Sequence, residues 1–443
     1  MKVLFIASEC APIAKVGGLA DVVGSLPKSL KKLGVDISVL IPFYGAIKLK
    51  KEEIKLVLKE AAVFFDGKKE KFNLWQTTLP KSKVPVFLIE NNKYFKGNVY
   101  IETDASSGGS ATEAKRFFFL SKVGIKLAET LKIDILHCHD WHTAIIPFLI
   151  KKEKLQLKNL LTIHNLQYQG LYPYQIVNQL LNTKFIKDVN CLKEGILNAR
   201  IITTVSPTYA KEILTKEYGA GLEPVLLKRK EDLHGILNGI DKINYSLDKK
   251  QADKRKLQKI CKLAQNPKVP VIALIGRLTE QKGFDILNPI LDELGKMDLQ
   301  LIVLAAGYPK YEKELIRAEK KFPDKLSINI KFDAKLAQQI YAGADMFLMP
   351  SQFEPCGLGQ MIAMSYGTVP IVRAVGGLKD TVTEETGFLF KNYDAQELLQ
   401  LIKKALGVYE NKKTWKQVQI NGIKQDFSWD KSAKRYLEIY QKL

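Results

Sequence analysis

The sequence predicts an α/β protein with two domains, each built on a doubly wound parallel sheet. Short apolar runs alternate with helical patterns along both halves of the chain, which is typical of repeated βαβ units. A chain of 443 residues is too long for one core and suits two domains of ordinary size. We expect domains at 1–241 and 242–443, with the last helix as a candidate to pack back on the first. The charged stretch 242–267 is expected to connect them and to act as a hinge.

Buried strands are expected where β-branched and apolar residues cluster. In the first half these runs lie at 2–7, 37–41, 84–89, 135–139, 159–163 and 201–205. In the second half they lie at 269–275, 299–305, 328–331, 345–349 and 369–372. Helical spacing predicts helices from Gly18 (with a kink at Pro27), over 112–131, over 208–214 and over 431–443. Between the strands at 37–41 and 84–89, and again over 94–110, the chain is polar and expected to be irregular, with 106–110 as a mobile loop.

Composition narrows the class of protein. Apolar residues make up 46 % and charged residues 26 %, which is normal for a globular protein, and no apolar run has the length of a membrane span. The first residues resemble a signal peptide only briefly and are better explained as a first strand. The five cysteines are scattered and odd in number, which favours neither a disulfide framework nor a zinc site. A reducing compartment, the cytoplasm, is expected.

The formal charge of +21 is compatible with three kinds of binding partner: nucleic acid, a membrane surface or an anionic small molecule. Its lysines are spread over the expected surface helices, and no basic cluster is interleaved with aromatic residues. The charge therefore favours a lysine-rich surface that also attracts phosphate, with no nucleic acid or membrane partner.

The stretch 351–360, SQFEPCGLGQ, lies between a predicted strand and a predicted helix. It places Glu354 at the carboxyl end of a parallel strand, which is where open α/β sheets bind ligands. A carboxylate is a good acceptor for sugar hydroxyls and a poor neighbour for phosphate. The alternative is an ordinary loop with a surface glutamate.

Glycine pairs precede two predicted helices, at Gly17-Gly18 and Gly376-Gly377. Glycines there let a phosphate approach backbone N–H groups at the positive end of a helix, and Lys15 lies just upstream of the first pair. Arg277 and Lys282 flank another strand-to-helix loop, and a guanidinium with an ammonium suits a diphosphate. Plain turns and a salt-bridged loop are the structural alternatives.

Three of the five histidines lie in 137–142. Alternate residues of a strand share a face, so His137 and His139 could chelate a metal, but a polar rim for a hydroxylated ligand is favoured. Trp141 suits either stacking on a sugar or packing. His164 follows the next strand, which favours a shared cleft.

Seven motifs in this order resemble the glycogen and starch synthase family, whose members are GT-B glycosyltransferases. They are KVGGLADV at 15–22, HCHDWHTA at 137–144, HNLQYQG at 164–170, LNGID at 237–241, GRLTEQKG at 276–283, FEPCGLGQ at 353–360 and GGLKDTV at 376–382. The resemblance implies the GT-B fold, with two Rossmann-like domains facing across a cleft.

The resemblance also implies roles. Lys15 and Gly18 correspond to contacts to the sugar nucleotide, Arg277 and Lys282 to the diphosphate clamp, and Glu354 to the acidic residue that holds glucose hydroxyls. Further substrate contacts are implied for Cys356, Gly357, Leu358, Gly376 and Gly377. His164 would line the reaction centre, Asn238 contact a sugar hydroxyl, Asp140 lie on the acceptor side and Phe332 stack on adenine. Gln352, Ser365 and Val375 depart from the residues common in the family, which puts affinity in question.

The implied activity is transfer of glucose from ADP-glucose to the non-reducing end of an α-1,4-glucan, with retention and without metal or cofactor. A UDP-glucose-dependent GT-B transferase and a catalytically idle glucan-binding protein remain alternatives. A dinucleotide-dependent dehydrogenase is disfavoured because no G-x-G-x-x-G follows the first strand. The sequence does not indicate the oligomeric state.

Overall fold

The computed structural model describes residues 1–101 and 110–443. Two compact units divide these residues. The first contains Met1–Gly239 and Ser428–Leu443, and the second contains Ile240–Phe427. The loop predicted at 106–110 lies outside the described residues except for Ser110. In the described part of the chain, no helix combines the length and the apolar character needed to cross a membrane.

The first unit alternates strands and helices over most of its length. Its strands are β1 (Lys2–Ile6), β2 (Asp36–Pro42), β3 (Lys55–Phe65), β4 (Lys68–Thr78), β5 (Pro85–Glu90), β6 (Ile135–His139), β7 (Lys158–Ile163), β8 (Leu171–Tyr172), β9 (Val189–Asn190), β10 (Ile201–Thr204) and β11 (Leu233–Gly235). Its helices before the second unit are α1 (Gly18–Lys32), α2 (Asn92–Phe95), α3 (Ala111–Leu131), α4 (Asp140–Thr143), α5 (Ile145–Lys152), α6 (Tyr174–Leu181), α7 (Cys191–Asn198), α8 (Pro207–Glu212) and α9 (Glu223–Lys228).

The main sheet of this unit has the order β11-β10-β7-β6-β1-β2-β5-β4-β3. Strand β1 is buried from Val3 to Ile6, as expected for the centre of a parallel sheet that is covered on both faces. The chain proceeds from β1 to β2 on one side and places β6 on the other, so a topological switch point lies between β1 and β6. Ligands of doubly wound sheets bind at such points.

The prediction of irregular chain between β2 and β5 is wrong. Residues 55–78 form the hairpin β3–β4, which pairs antiparallel with itself and with β5 and extends the sheet. Strand β3 is a largely exposed edge strand, and its pairing register shifts at Leu58. Charged residues and register shifts are common on edge strands because they discourage pairing with other chains. They also remove the simple apolar alternation by which strands are predicted.

The second unit contains a six-stranded sheet with the order β14-β13-β12-β15-β16-β17, and every adjacent pair is parallel. Its strands are β12 (Val271–Leu278), β13 (Gln300–Gly307), β14 (Leu326–Ile330), β15 (Met346–Met349), β16 (Val369–Arg373) and β17 (Phe388–Phe390). Its helices are α10 (Lys250–Ile260), α11 (Phe284–Leu287), α12 (Leu291–Lys296), α13 (Pro309–Lys321), α14 (Ala334–Gly343), α15 (Gly359–Ser365), α16 (Gly376–Thr381), α17 (Ala395–Glu410) and α18 (Lys412–Ile423). The switch point of this sheet lies between β12 and β15.

The last helix, α19 (Trp429–Lys442), belongs to the first unit and packs on α1. Its predicted apolar face is buried through Tyr436, Ile439 and Tyr440. The Ser29 hydroxyl donates to Asp430 Oδ1 at 2.7 Å, and Tyr440 is hydrogen-bonded to His137 Nδ1 at 2.8 Å.

The stretch 242–267, predicted as a connector and hinge, is in its second part a packed helix of the second unit. Residues Lys250–Ile260 form α10, which packs on α14 inside the second unit. The Lys254 side chain is fully buried and its Nζ lies 2.6 Å from Asp345 Oδ2. The Lys250 ammonium donates to the Tyr366 carbonyl at 3.1 Å, and burial lowers the pKa of Lys250 to about 7. Lysine-rich composition predicts exposed side chains, whereas these two lysines are buried because buried oxygen atoms accept their hydrogen bonds.

Candidate active site

Glu354 lies in the loop between β15 and α15, at the switch point of the second unit. Its side chain is buried, and its Oε2 atom accepts a hydrogen bond from Lys282 Nζ at 2.6 Å and from the Ser351 hydroxyl at 3.0 Å. Lys282 retains 21 % of its side-chain exposure, so the ammonium can still meet a ligand. We call Glu354, Lys282 and Ser351 the carboxylate–ammonium cluster. The loop glutamate is therefore not a surface residue.

Two further predicted residues lie at carboxyl ends of strands in the same sheet. Arg277 is the penultimate residue of β12 and is exposed. Phe332 follows β14 by two residues, and 88 % of it is exposed. A phenyl ring with this exposure is unusual, and it offers a flat apolar face to a ligand.

The turn after Glu354 is held by its glycines. Gly357 has a φ of +70°, which a side chain would strain. A Cβ on Gly377 would lie 2.2 Å from the Cys356 carbonyl oxygen, so only glycine permits this approach. Cys356 is buried, whereas Leu358 is half-buried.

The glycine pair at Gly376-Gly377 differs from its prediction in one respect. Gly377 N–H donates to the Glu354 carbonyl at 3.1 Å, so it braces the loop that carries the carboxylate. The predicted use of this N–H by a phosphate would require that bond to break.

In the first unit, the Lys15–Gly18 loop is held by Glu9, a residue that was not predicted. Glu9 Oε2 accepts from the Val16 N–H at 2.6 Å and from the Gly17 N–H at 2.8 Å, and the Tyr100 hydroxyl donates to Oε1 at 2.6 Å. The expectation that the Gly17 N–H faces a phosphate is therefore wrong in this structure, because a buried carboxylate occupies it. Gly18 is the first residue of α1, and a Cβ there would meet no atom within 4 Å.

The Lys15 side chain is exposed and forms an ion pair with a residue of the following helix. Its Nζ lies 2.6 Å from Asp21 Oδ1. Both partners are well solvated, with side-chain exposures of 46 % and 31 %, so the bond is weak and can yield to an anion.

Asp140 and His164 follow the neighbouring strands β6 and β7 and contact each other. Asp140 Oδ1 accepts from the His164 N–H at 2.6 Å and from the Asn165 N–H at 3.3 Å. Asp140 has a φ of +54°, an uncommon conformation for a residue with a side chain, and burial raises its pKa to about 7. Burial lowers the pKa of His164 to about 3, so its ring is neutral at physiological pH.

The remaining polar residues of this edge are more deeply placed. Asn238 is buried, and its Oδ1 has no hydrogen-bond partner in the described ranges. His137 is completely buried and uses both ring nitrogens, toward Tyr440 at 2.8 Å and Thr162 at 2.6 Å. The predicted polar rim is therefore wrong for His137, and so is its use as a metal ligand. Trp141 is buried with its ring stacked on His142 at 4.1 Å, which is the packing role.

The topology explains why these residues converge. Strands β11, β10, β7, β6 and β1 are adjacent and parallel, so the loops that carry Asn238 (after β11), His164 (after β7), Asp140 (after β6) and Glu9 (after β1) leave the same sheet edge. Sequence reasoning missed Glu9 because a glutamate eight residues before a glycine is not itself a motif. The apolar run before Glu9 indicates a buried strand, but the sequence does not indicate that the Lys15–Gly18 loop folds back onto the Glu9 carboxylate.

Comparison with known proteins decides the family. A family model described as the starch synthase catalytic domain matches residues 2–228, and a second, described as glycosyl transferases group 1, matches residues 254–424. The chain belongs to the glycogen and starch synthase family. It is thus a glycosyltransferase, as predicted.

Relatives of the family align along the whole chain. Proteins named glycogen synthase from Thermosipho melanesiensis and Kosmotoga olearia are 42 % and 44 % identical, and both alignments cover 100 % of this chain and 99 % and 98 % of the relative. The catalytic domain of starch synthase IV from Arabidopsis thaliana, solved with ADP and acarbose, is 32 % identical with a TM-score of 0.88, covering 100 % of this chain and 99 % of that one. A sucrose-phosphate synthase from Thermosynechococcus elongatus, at 18 % identity and a TM-score of 0.65, shares the fold. The predicted GT-B fold class is confirmed.

Proposed function

We propose that this enzyme transfers glucose from ADP-glucose to the non-reducing end of an α-1,4-glucan, with retention at the anomeric carbon. The carboxylate–ammonium cluster carries the proposal. It places a hydroxyl-binding carboxylate and a phosphate-binding ammonium 2.6 Å apart at a sheet switch point. A sugar joined to a diphosphate needs those two groups side by side. The plant starch synthase solved with ADP and acarbose supports the same donor and acceptor classes.

In this proposal the second unit is the sugar-nucleotide-binding domain and the first carries the acceptor side. Arg277 and Lys282 bind the diphosphate, Glu354 holds glucose hydroxyls, and the turn at 356–358 lies against sugar and phosphate. Phe332 stacks on adenine, for which its 88 % exposure is suited. Lys15, with Gly18, contacts the nucleotide after its ammonium leaves Asp21.

Catalysis is proposed to be electrostatic. The leaving diphosphate gains negative charge as the bond to glucose breaks, so cations stabilise the transition state more than the bound donor. Lys282 has a second task in the resting enzyme, because it neutralises Glu354 while no phosphate is bound. A single preorganised donor of this kind contributes about 10²–10³ in rate.

The first unit supplies the rest of the proposed reaction centre. His164 lines it, Asp140 lies on the acceptor side, and the unpartnered Asn238 Oδ1 accepts from a sugar hydroxyl. Neither Asp140 nor Glu9 is placed as a nucleophile, because each carboxylate is engaged with two backbone N–H groups. We therefore favour a front-side displacement in which the departing phosphate takes the proton of the acceptor hydroxyl, rather than the two-carboxylate route of retaining glycosidases. This route needs neither metal nor cofactor. The five free cysteines support a reducing compartment, and we propose the cytoplasm.

The test is chain growth on glycogen with ADP-glucose and UDP-glucose compared at equal concentration. We expect turnover with ADP-glucose to exceed that with UDP-glucose, and the new linkages to be released completely by an α-1,4-specific exoglucanase. Faster chain growth with UDP-glucose would mean that UDP-glucose, and not ADP-glucose, is the donor. Binding of both nucleotides without growth would make the protein an idle glucan-binding member. Resistance of the product to the exoglucanase would refute the α-1,4 linkage, and the anomeric proton coupling of the product by NMR would then show whether retention or the linkage position is wrong.

A further inference from the structure

Two neutral histidines share one hydrogen bond at the carboxyl edge of the first sheet. His139, the last residue of β6, is completely buried, and its Nδ1 lies 3.0 Å from His164 Nε2. The other ring nitrogen of His139, Nε2, is also buried and has no hydrogen-bond partner within 1–101 and 110–443. That orphaned atom determines how the shared proton is placed.

Two arrangements of the proton are possible. If His164 donated from Nε2, neutral His139 would carry its own proton on Nε2, and a buried N–H would have no acceptor. If His139 donates from Nδ1, its Nε2 is left only with an unused lone pair. Buried donors without acceptors are rarer in proteins and cost more than under-used acceptors. The second arrangement is therefore favoured, and it places the His164 proton on Nδ1.

The ring of His139 is held so firmly that it can impose this choice. It stacks on His137 with a centroid distance of 4.2 Å and contacts Phe5 at 4.8 Å. The His139 N–H donates to Thr143 Oγ1 at 2.7 Å, which fixes the backbone. Burial lowers the pKa of His139 well below its ordinary value, as it does for His164, so neither ring is doubly protonated near neutral pH.

We propose that His139 is a positioning residue that holds His164 in the tautomer with its proton on Nδ1. His164 Nδ1 has no hydrogen-bond partner in the described part of the chain, while the His164 backbone is fixed by Asp140 at 2.6 Å. The Nδ1–H group is therefore ready to donate to a hydroxyl oxygen of the bound sugar. The other tautomer would present a lone pair there, which only a sugar O–H could satisfy. The effect on transfer rests on the proposed function, whereas the tautomer does not.

The first experiment measures the tautomer in the wild-type enzyme without any substrate. The protein is labelled with ¹⁵N-histidine, which gives only five rings to assign, and His164 is identified by its loss in His164→Gln. We expect His164 Nδ1 to show the shift of a protonated ring nitrogen and Nε2 that of an unprotonated one. The reverse pattern would overturn the proposal, whatever the enzyme catalyses.

The second experiment changes the donor. His139→Asn keeps an amide N–H three bonds from Cα, where His Nδ1 lies, while His139→Leu offers none. We expect His139→Leu to mix the His164 tautomers and to lower kcat by on the order of ten- to a hundredfold with a smaller change in KM, and His139→Asn to restore most of both signals. Tyr440→Phe is the control, because it removes a hydrogen bond of similar burial from His137 without touching His164. A His139→Leu enzyme with the wild-type tautomer and kcat, or a Tyr440→Phe enzyme with the same tautomer mixing, would contradict the assignment. If no variant or wild type transfers glucose, the proposed function fails while the tautomer result still stands.

Discussion

Removing the ammonium of the carboxylate–ammonium cluster should have two effects that can be separated. In Lys282→Met, the Glu354 carboxylate loses a partner at 2.6 Å and keeps the Ser351 hydroxyl at 3.0 Å. The Glu354 side chain is only 8 % exposed, so water cannot replace the lost cation. The variant therefore leaves a buried charge with one neutral hydrogen bond.

The expected cost follows from that burial. Breaking a buried ion pair from one side costs about 3–5 kcal/mol, and since Lys282 is 21 % exposed we expect the lower end, about 3 kcal/mol. The double variant Lys282→Met/Glu354→Gln buries no charge and should recover most of this loss. Turnover should not recover, because the phosphate-binding cation is still missing and the hydroxyl-binding carboxylate has become an amide. We expect turnover to remain at least about 10²–10³ below wild type.

The assay is a double-mutant cycle with urea unfolding and glucosyl transfer measured on the same preparations. Lys310→Met serves as the control, because its Nζ contacts Glu280 at 2.9 Å with both side chains well exposed, and such pairs contribute about 1 kcal/mol or less. Wild-type stability in Lys282→Met would refute the ion pair as a structural element. Recovery of turnover in the double variant would refute the role of Lys282 at the phosphates.

Three further perturbations test separate parts of the structure. Glu9→Ala frees two backbone N–H groups of the Lys15 loop, so kcat/KM for ADP-glucose should fall by on the order of tenfold or more in initial-rate assays, since misplaced binding groups lose the advantage of orientation. The Asp140 pKa of about 7 lies above its value of about 3.9 in the unfolded chain, so between about pH 4 and about pH 7 the folded state binds one more proton than the unfolded state. Over this range the free energy of unfolding of wild type, measured with urea and compared with that of Asp140→Asn, should fall by about 1.4 kcal/mol per pH unit. Lys254→Met leaves Asp345 charged and buried and should lower the free energy of unfolding by about 3–5 kcal/mol, by urea titration.

Each of these has a clear contrary outcome. Unchanged kinetics in Glu9→Ala would mean that the loop holds its shape without the carboxylate. If the free energy of unfolding of wild type instead rose with pH relative to that of Asp140→Asn between about pH 4 and about pH 7, the folded state would stabilise the ionised Asp140 carboxylate and the prediction would be wrong. If Lys254→Met left the free energy of unfolding unchanged, the Lys254–Asp345 ion pair would not stabilise the packing of α10 in the second unit.

The sequence supports accurate prediction where local pattern and burial agree. The strands of both parallel sheets are near-continuous apolar runs because helices cover both faces, and these runs were recognised at 37–41, 159–163 and 299–305. Loops at the ends of such strands carry the ligand-binding residues, so Glu354 and Lys282 could be paired with one sheet edge before any coordinates.

Predictions failed where long-range contacts override composition. Helix α10 is rich in lysine, yet Lys254 is buried because Asp345, 91 positions later in the chain, meets it. The β3–β4 hairpin lacks clean alternation because one of its strands is an exposed edge. The role of Glu9 depends on the Lys15 loop folding back onto its carboxylate. The proposed tautomer of His164 depends on His139, which lies on a neighbouring strand. Local periodicity contains none of these facts.

The central claim is that cations stabilise the departing diphosphate more than the bound donor. The most direct measurement compares kcat of Arg277→Ala with the dissociation constant of this variant for the donor ADP-glucose, measured without acceptor. Arg277 is exposed at the end of β12, so its loss should not disturb the core. We predict that kcat falls by about 10²–10³ while the affinity for ADP-glucose falls by much less. An affinity loss of that size with kcat unchanged would contradict the claim and reduce the guanidinium to a uniform binding contact.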